Sequence, residues 1–181
     1  MVAGLDARGL VEGRQCGSCS LCCKVYDIDW LDKPKPAGKW CHNCKPGRGC
    51  SIWKTVPQKC EDFFCSWRRM PQLDDSWRPD RSGFIIHRQA EHLPFEIVPD
   101  PGRPNAWRAE PYYSQLKRAA QSAIEQGTIF VVIVGGRHTF LMPDGEIAVP
   151  AGLENTDFRV FRDNVTGKWG VRFLAEQQKA S

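Results

Sequence analysis

The chain has no apolar run long enough to cross a bilayer. Its best run, "TIFVVIV" at 128–134, is strand-sized, far short of the roughly 18 consecutive apolar residues that a membrane helix needs. An apolar signal-type core is also missing from the start, where Asp6, Arg8 and Glu12 interrupt "MVAGLDARGLVEGRQ", so a cytoplasmic location with no membrane partner is expected. There is no phosphate-cradling glycine loop, no dinucleotide fingerprint and no Ser-His-Asp order, which removes the commonest nucleotide-binding and hydrolase signatures. Internal repeats are absent too, as is any low-complexity tail beyond "EQQKAS".

Cysteine is absent after residue 65. All nine cysteines lie between 16 and 65, so the chain divides into a cysteine-rich module at 14–82 and an ordinary region at 83–181, expected to pack as one compact unit. Stable disulfides are uncommon in a reducing cytosol, and an odd count leaves at least one thiol unpaired in a monomer. Metal ligation is therefore the leading reading, ahead of thiol redox chemistry.

Spacing sharpens that reading. "CGSCSLCC" supplies Cys16, Cys19, Cys22 and Cys23; "CHNC" supplies Cys41 and Cys44; Cys50, Cys60 and Cys65 follow singly. Two cysteines separated by two residues turn both sulfurs to one side at tetrahedral spacing. Adjacent cysteines do this poorly, because the planar peptide between them tends to send the side chains apart. The Cys22–Cys23 pair is thus expected to serve two metals, or two corners of something larger. Eight thiolates fill two zinc sites, two [4Fe–4S] clusters or one of each, leaving a ninth as bridge or spare. The cofactor expected is an iron-sulfur cluster or zinc, with its identity open. His42, between two better ligands, reads as a hydrogen-bond donor behind them or a surface residue.

Other thiol motifs fit less well. No C-x-x-C is followed by the histidine that haem attachment requires, and the ferredoxin spacing with its closing Cys-Pro is not met. A thioredoxin-like role for "CHNC" lacks its βαβ surroundings.

The cysteine region also carries a local basic excess, eleven Lys or Arg against five Asp or Glu between Arg14 and Arg69. Two four-thiolate centres, each about −2, absorb most of it. The alternative is a basic, aromatic-interleaved surface for nucleic acid, since Trp30, Trp40, Trp53 and Trp67 fall here; it is less favoured than a protein or small-molecule partner. The same tryptophans, with Trp77, are expected either to exclude water around the thiolates or to form an ordinary small core.

Beyond residue 82 the periodicity becomes conventional. "GFIIHRQ" and "LPFEIV" read as strands, "PYYSQLKRAAQSAIEQG" as an amphipathic helix, and "TIFVVIV", "RHTFLM" and "EIAVP" as a meander. In the helix, Tyr112, Leu116, Ala119, Ala120, Ala123 and Ile124 share a face. Residues 158–174 read as a hairpin about Thr166 and Gly167, or as a strand and a short helix. The fold class expected is α+β, a loop-rich cysteine module packed on a small antiparallel sheet with one main helix.

The run "CGSCSLCC", "WCHNC", "GCSIW", "P-x-x-C" and "FFCSW", extended by "WRPDRSG", resembles the CxxCxxCC or YkgJ-type cysteine-cluster family, described as zinc- or iron-chelating proteins. The resemblance covers residues 16 to 83 and places the family's eight cysteines on Cys16, Cys19, Cys22, Cys23, Cys41, Cys50, Cys60 and Cys65. Cys44 falls where many members are apolar, and Val56 and Glu61 stand where members commonly carry arginine. Flagellin lysine methylases are similar in their cysteine cluster and are associated with an iron-sulfur centre. The resemblance implies metal binding and says little of any reaction. Whether the chain is an enzyme stays open; for cluster-dependent redox or group transfer the candidates are Arg78, Asp80, Arg81, His87, His92 and His138.

Overall fold

Side chains of a strand alternate between faces, so in a strand through Phe84–His87 Phe84 and Ile86 must leave on one side and Ile85 and His87 on the other. A computed structural model of the chain, which describes residues 4–174, builds the molecule around that division. The "EQQKAS" tail lies outside the described residues.

The N-terminal half has little regular structure. It holds the single-turn helices α1 (Cys22–Val25), α2 (Gln58–Glu61), α3 (Ser66–Arg69) and α4 (Pro79–Ser82), and a two-residue ribbon of β1 (Cys44–Lys45) and β2 (Gly49–Cys50). Then come β3 (Phe84–His87), β4 (Phe95–Pro99), helix α5 (Tyr112–Glu125), β5 (Phe130–Val134), β6 (Arg137–Leu141) and β7 (Glu146–Ala148). The hairpin of β8 (Phe158–Arg162) and β9 (Trp169–Phe173) closes the described chain, which settles the last segment as two strands.

The architecture is mixed, helices with a five-stranded sheet ordered β3-β4-β5-β6-β7, and the cysteines lie in the N-terminal region, as the α+β reading expects. One feature of the sheet differs from expectation: β4 and β5 run parallel, while every other neighbouring pair in it is antiparallel. Helix α5 is the reason. It returns the chain across the sheet between them, and such a crossover brings the second strand in parallel.

One face of the sheet receives α5. Phe84, Ile86, Ile97, Phe130, Val132 and Leu141 pack there against Leu116, Ala120 and Ala123, with Trp67, Trp77 and Trp107 completing the core. Each such aliphatic or phenyl side chain contributes about 1.5–3 kcal/mol by burial. Ala119, placed on the apolar face by periodicity, is exposed. The opposite face is divided. Over β5 and β6, Ile129, Val131, Phe140 and Met142 are covered by Phe158, Val160, Val171 and Phe173 of the hairpin. Over β3 and β4, Ile85 and Val98 meet Leu21, Val25, Cys22 and Cys65, so the thiol region lies on the end of the sheet that neither α5 nor the hairpin occupies.

The chain reaches β3 through a tight stop. Gly83 ends α4 with φ at +81°, a left-handed conformation, and a Cβ there would stand 2.8 Å from the Arg103 guanidinium. Only glycine fits both demands without strain.

The tryptophans divide between the two roles weighed for them, with Trp30 and Trp53 lining the thiol cavity. Trp67 and Trp77 go into the main core, whereas Trp30, Trp40 and Trp53 are exposed. No helix among the described residues is long and apolar enough to cross a membrane.

Candidate metal centre

Thiols spread over fifty residues can act together only if separate loops converge. Here they do: one cavity of about 890 Å³ is lined by all nine cysteines, Cys16, Cys19, Cys22, Cys23, Cys41, Cys44, Cys50, Cys60 and Cys65. All nine are free thiols.

Backbone hydrogen bonds fix the convergence. The Cys19 amide donates to the Cys16 carbonyl at 2.8 Å, turning the first C-x-x-C. The Cys41 amide donates to the Cys23 carbonyl at 2.9 Å, joining the second segment to α1, and the Cys44 amide turns back onto the Cys41 carbonyl. Cys44 then pairs with Cys50 across β1 and β2. Gly49 makes the last approach possible, because a Cβ on it would lie 2.9 Å from the Gly17 carbonyl oxygen, between the first and third cysteine segments.

Arginines brace this arrangement. Arg14 donates to the carbonyls of Trp67, Met70 and Leu73, tying the chain just before Cys16 to the segment just after Cys65. Arg78 donates to the Cys16 carbonyl at 3.2 Å and to Ser18 Oγ at 2.8 Å, and its Nε pairs with Asp80 at 3.1 Å. This gives Arg78 and Asp80, two of the candidate catalytic residues, a bracing task outside the cavity. Arg81 makes an exposed ion pair with Asp75. Buried Arg68 holds Nη1 3.8 Å from Cys16 Sγ, while its amide donates to the Cys65 carbonyl.

The vicinal pair does not part as the planar peptide suggests. Within the single turn of α1 the Cys22 and Cys23 thiols lie close enough to shift each other's ionisation, because neighbouring side chains on a helix diverge by only about 100°. Cys44 acts on Cys23 in the same way. These two thiols, aided by the nearby Lys35 ammonium, lower the Cys23 thiol to about 7. Its neighbours are held protonated: Cys22 lies well above the usual thiol range through the proximity of Cys23 and burial, and burial pushes Cys44 and Cys65 up to about 11. Burial also raises Cys19, Cys50 and Cys60, and for Cys60 the indole N–H of Trp30, 3.3 Å away, partly offsets it.

Lys35 carries no motif that marks it, yet it is buried. An isolated bridge between Ile28 and Lys35 folds the intervening loop inward, and the ammonium donates to the carbonyls of Lys24 and Tyr26. Burial lowers its pKa and the nearby thiolates raise it.

The sheet supplies the rest of the lining. His87 and Glu96 are register partners on the cavity side of β3 and β4. His87 stacks on Phe63 at 4.6 Å between centroids, and Tyr26 lies 5.2 Å from the same ring. Burial, then the Arg69 charge, lowers the His87 pKa; burial raises that of Glu96. The Tyr26 hydroxyl is buried without a hydrogen-bond partner, and burial holds its pKa well above the usual range. Among the other candidates, His42, His92 and His138 do not line the cavity, whereas Val56 and Glu61 do.

Number and chemistry of donors suit a thiophilic metal group, and the orphaned Tyr26 hydroxyl leaves a donor unused in the same space. Among the described residues, however, no three His, Cys, Asp or Glu side chains converge closely enough to hold a metal ion. Comparison of the chain with family models, curated proteins and solved structures finds no match in any of the three.

Proposed function

We propose that this is a cytosolic metal-binding protein whose cysteine thiolates hold an iron-sulfur cluster or zinc. The observation that carries the reading is the meeting of nine unpaired thiols, drawn from separated segments, around one cavity. Four thiolates satisfy one tetrahedral zinc ion or one cubane cluster, and nine exceed the needs of either. Such a group supplies structural cross-linking as zinc, or electron transfer as iron and sulfide. The residues' own part is separable from it. Cys23 offers a thiolate near neutral pH, Lys35 and Arg68 place positive charge beside sulfur, and Gly49 lets the loops approach. Because no three donors among the described residues converge beforehand, binding has to draw the short loops inward, which the scarcity of regular structure there permits. The resemblance to the CxxCxxCC family points the same way.

Metal and acid-labile sulfide analysis of anaerobically purified protein tests this. Brown protein absorbing near ~400 nm with sulfide selects the cluster. Colourless protein with stoichiometric zinc selects the ion. Folded protein that carries neither and takes up neither ends the proposal.

A second reading, a cluster-dependent enzyme for redox or group transfer, draws on His87 and Glu96, which share the cavity with the thiols. An activity found in the wild type and left intact in both His87→Ala and Glu96→Ala would remove them from it. A nucleic-acid or protein-binding role draws instead on exposed Trp30 and Trp40, each with a lysine ammonium over its ring. That role predicts strongly salt-dependent binding to RNA or DNA.

A further inference from the structure

Three arginines gather round one phenyl ring. The guanidinium carbons of Arg8, Arg68 and Arg69 lie 5.6, 5.6 and 5.5 Å from the Phe64 ring centroid, so no two of them stand farther apart than twice that distance. Separate parts of the chain deliver them. The first loop, closed by an isolated bridge between Leu5 and Val11, carries Arg8, and the Val11 amide fastens that loop to the Arg68 carbonyl at 2.8 Å. Arg68 and Arg69 end α3, just after Cys65.

Like charges held this close repel, and a carboxylate among them would offset the cost. Among the described residues none of the three makes an ion pair. Asp6 feels the charges of Arg8 and Arg68, but its carboxylate accepts the amides of Arg8 and Leu10 instead. Arg68 is only 9% exposed; its Nη1 has no more than the 3.8 Å approach to Cys16 Sγ, and its Nε is buried with no hydrogen-bond partner. A buried charged donor without an acceptor is costly, so this one calls for an acceptor that arrives from outside.

The place is a wall of the thiol cavity. Arg8, Phe64 and Arg68 line it, and Arg69 stands near enough for its charge to add to burial in lowering the His87 pKa. A cavity of about 890 Å³ is of the size that takes small organic molecules, and Tyr26, Trp30, Trp53 and Phe63 give this one aromatic walls.

We propose that Arg8, Arg68 and Arg69 bind the phosphate group of a small phosphorylated molecule whose organic body lies against the aromatic walls of the cavity. Phosphate suits the trio better than carboxylate does. A phosphate monoester brings nearly two negative charges and three strong acceptor oxygens, enough for three guanidiniums, where a carboxylate brings one charge and two oxygens. Buried Arg68 holds the group from the wall, and exposed Arg8 and Arg69 close on it from outside. The site stands whether or not the thiols hold metal.

The test is calorimetric titration of the full chain, purified anaerobically, with inorganic phosphate, phenyl phosphate and benzoate. Phenyl phosphate is expected to bind saturably, tighter than inorganic phosphate and far tighter than benzoate. Arg8→Gln and Arg69→Gln, both at exposed positions, should each weaken phenyl phosphate about tenfold. Arg159→Gln removes the same charge from exposed β8 and should weaken it less than about twofold. Absence of saturable binding by either phosphate overturns the proposal. So does equal weakening by Arg159→Gln, which would mean general charge attraction, or undiminished binding in both Arg8→Gln and Arg69→Gln, as for phosphate held on a metal. Benzoate binding as tightly as phenyl phosphate overturns the phosphate assignment, and phenyl phosphate binding no tighter than inorganic phosphate overturns the place given to the organic body.

Discussion

The Cys44 thiol stands close enough to Cys23 to favour its ionisation, although twenty residues of chain separate them. With the Cys22 thiol and the Lys35 charge, that contact makes Cys23 the thiol most easily ionised among those whose pKa moves. In metal-free, reduced protein Cys23 is therefore expected to alkylate ahead of Cys44 and Cys65. Its rate should rise through about pH 7, since the thiolate is the nucleophile and forms as pH passes the depressed value. Lys35→Met should move that midpoint upward by removing the cation. Iodoacetamide labelling with peptide mass spectrometry reads both; a Cys23 midpoint near that of an ordinary thiol would refute the contact.

Arg14 is expected to matter far more to stability than Arg81. The Arg14 guanidinium satisfies four carbonyls of the 67–73 segment, those of Trp67, Met70, Pro71 and Leu73, and charged hydrogen bonds contribute about 1.5–3 kcal/mol. Arg14→Ala should accordingly cost about 2 kcal/mol or more in urea unfolding. Arg81 meets Asp75 directly but at the surface, with 56% and 68% of the two side chains exposed, so Arg81→Ala should stay within about 0.5 kcal/mol.

Ile97 lies fully buried at the centre of the sheet, beneath α5. Ile97→Ala should destabilise the protein by about 2–5 kcal/mol, the cost of lost burial plus the cavity left behind. Val165, 94% exposed in the last hairpin turn, is the control, and Val165→Ala should be nearly silent in the same denaturation.

Removing bound metal should affect the two halves of the chain unequally. The region from Cys16 to Cys65 has only one-turn helices and a two-residue ribbon, while β3 to β7 is held by a continuous ladder and two packed faces. Chelation should abolish amide-exchange protection around the thiols and leave it largely in place from Phe84 to Leu141. Uniform loss would mean that the sheet itself depends on the metal.

The second half was readable because its patterns obey simple periods. "TIFVVIV" and "RHTFLM" alternate cleanly, and "PYYSQLKRAAQSAIEQG" carries a stripe that becomes α5. The parallel contact of β4 with β5 was missed because periodicity describes a strand and not its neighbours; a helix between two strands was the available signal. In the site, thiol chemistry picked out all nine lining cysteines. The rest depends on tertiary position. Lys35 looks like any surface lysine until the Ile28 bridge turns it inward, and His87 and Glu96 reach the thiols only because β3 and β4 lie beneath them. The contact between Cys22 and Cys23 was misjudged because peptide planarity was weighed without the helical turn that brings the sulfurs together.

The opposed faces of β3 make its reading frame more exacting than the identity of any one of its residues. Slipping its register on β4 by a single residue would carry Ile85 and His87 under α5 and deliver Phe84 and Ile86 to the thiols. A bulky aromatic would then fill space among the sulfurs while an imidazole entered the main core. Two compartments would fail from one lesion, so the strand couples the inheritance of the cavity to that of the hydrophobic core.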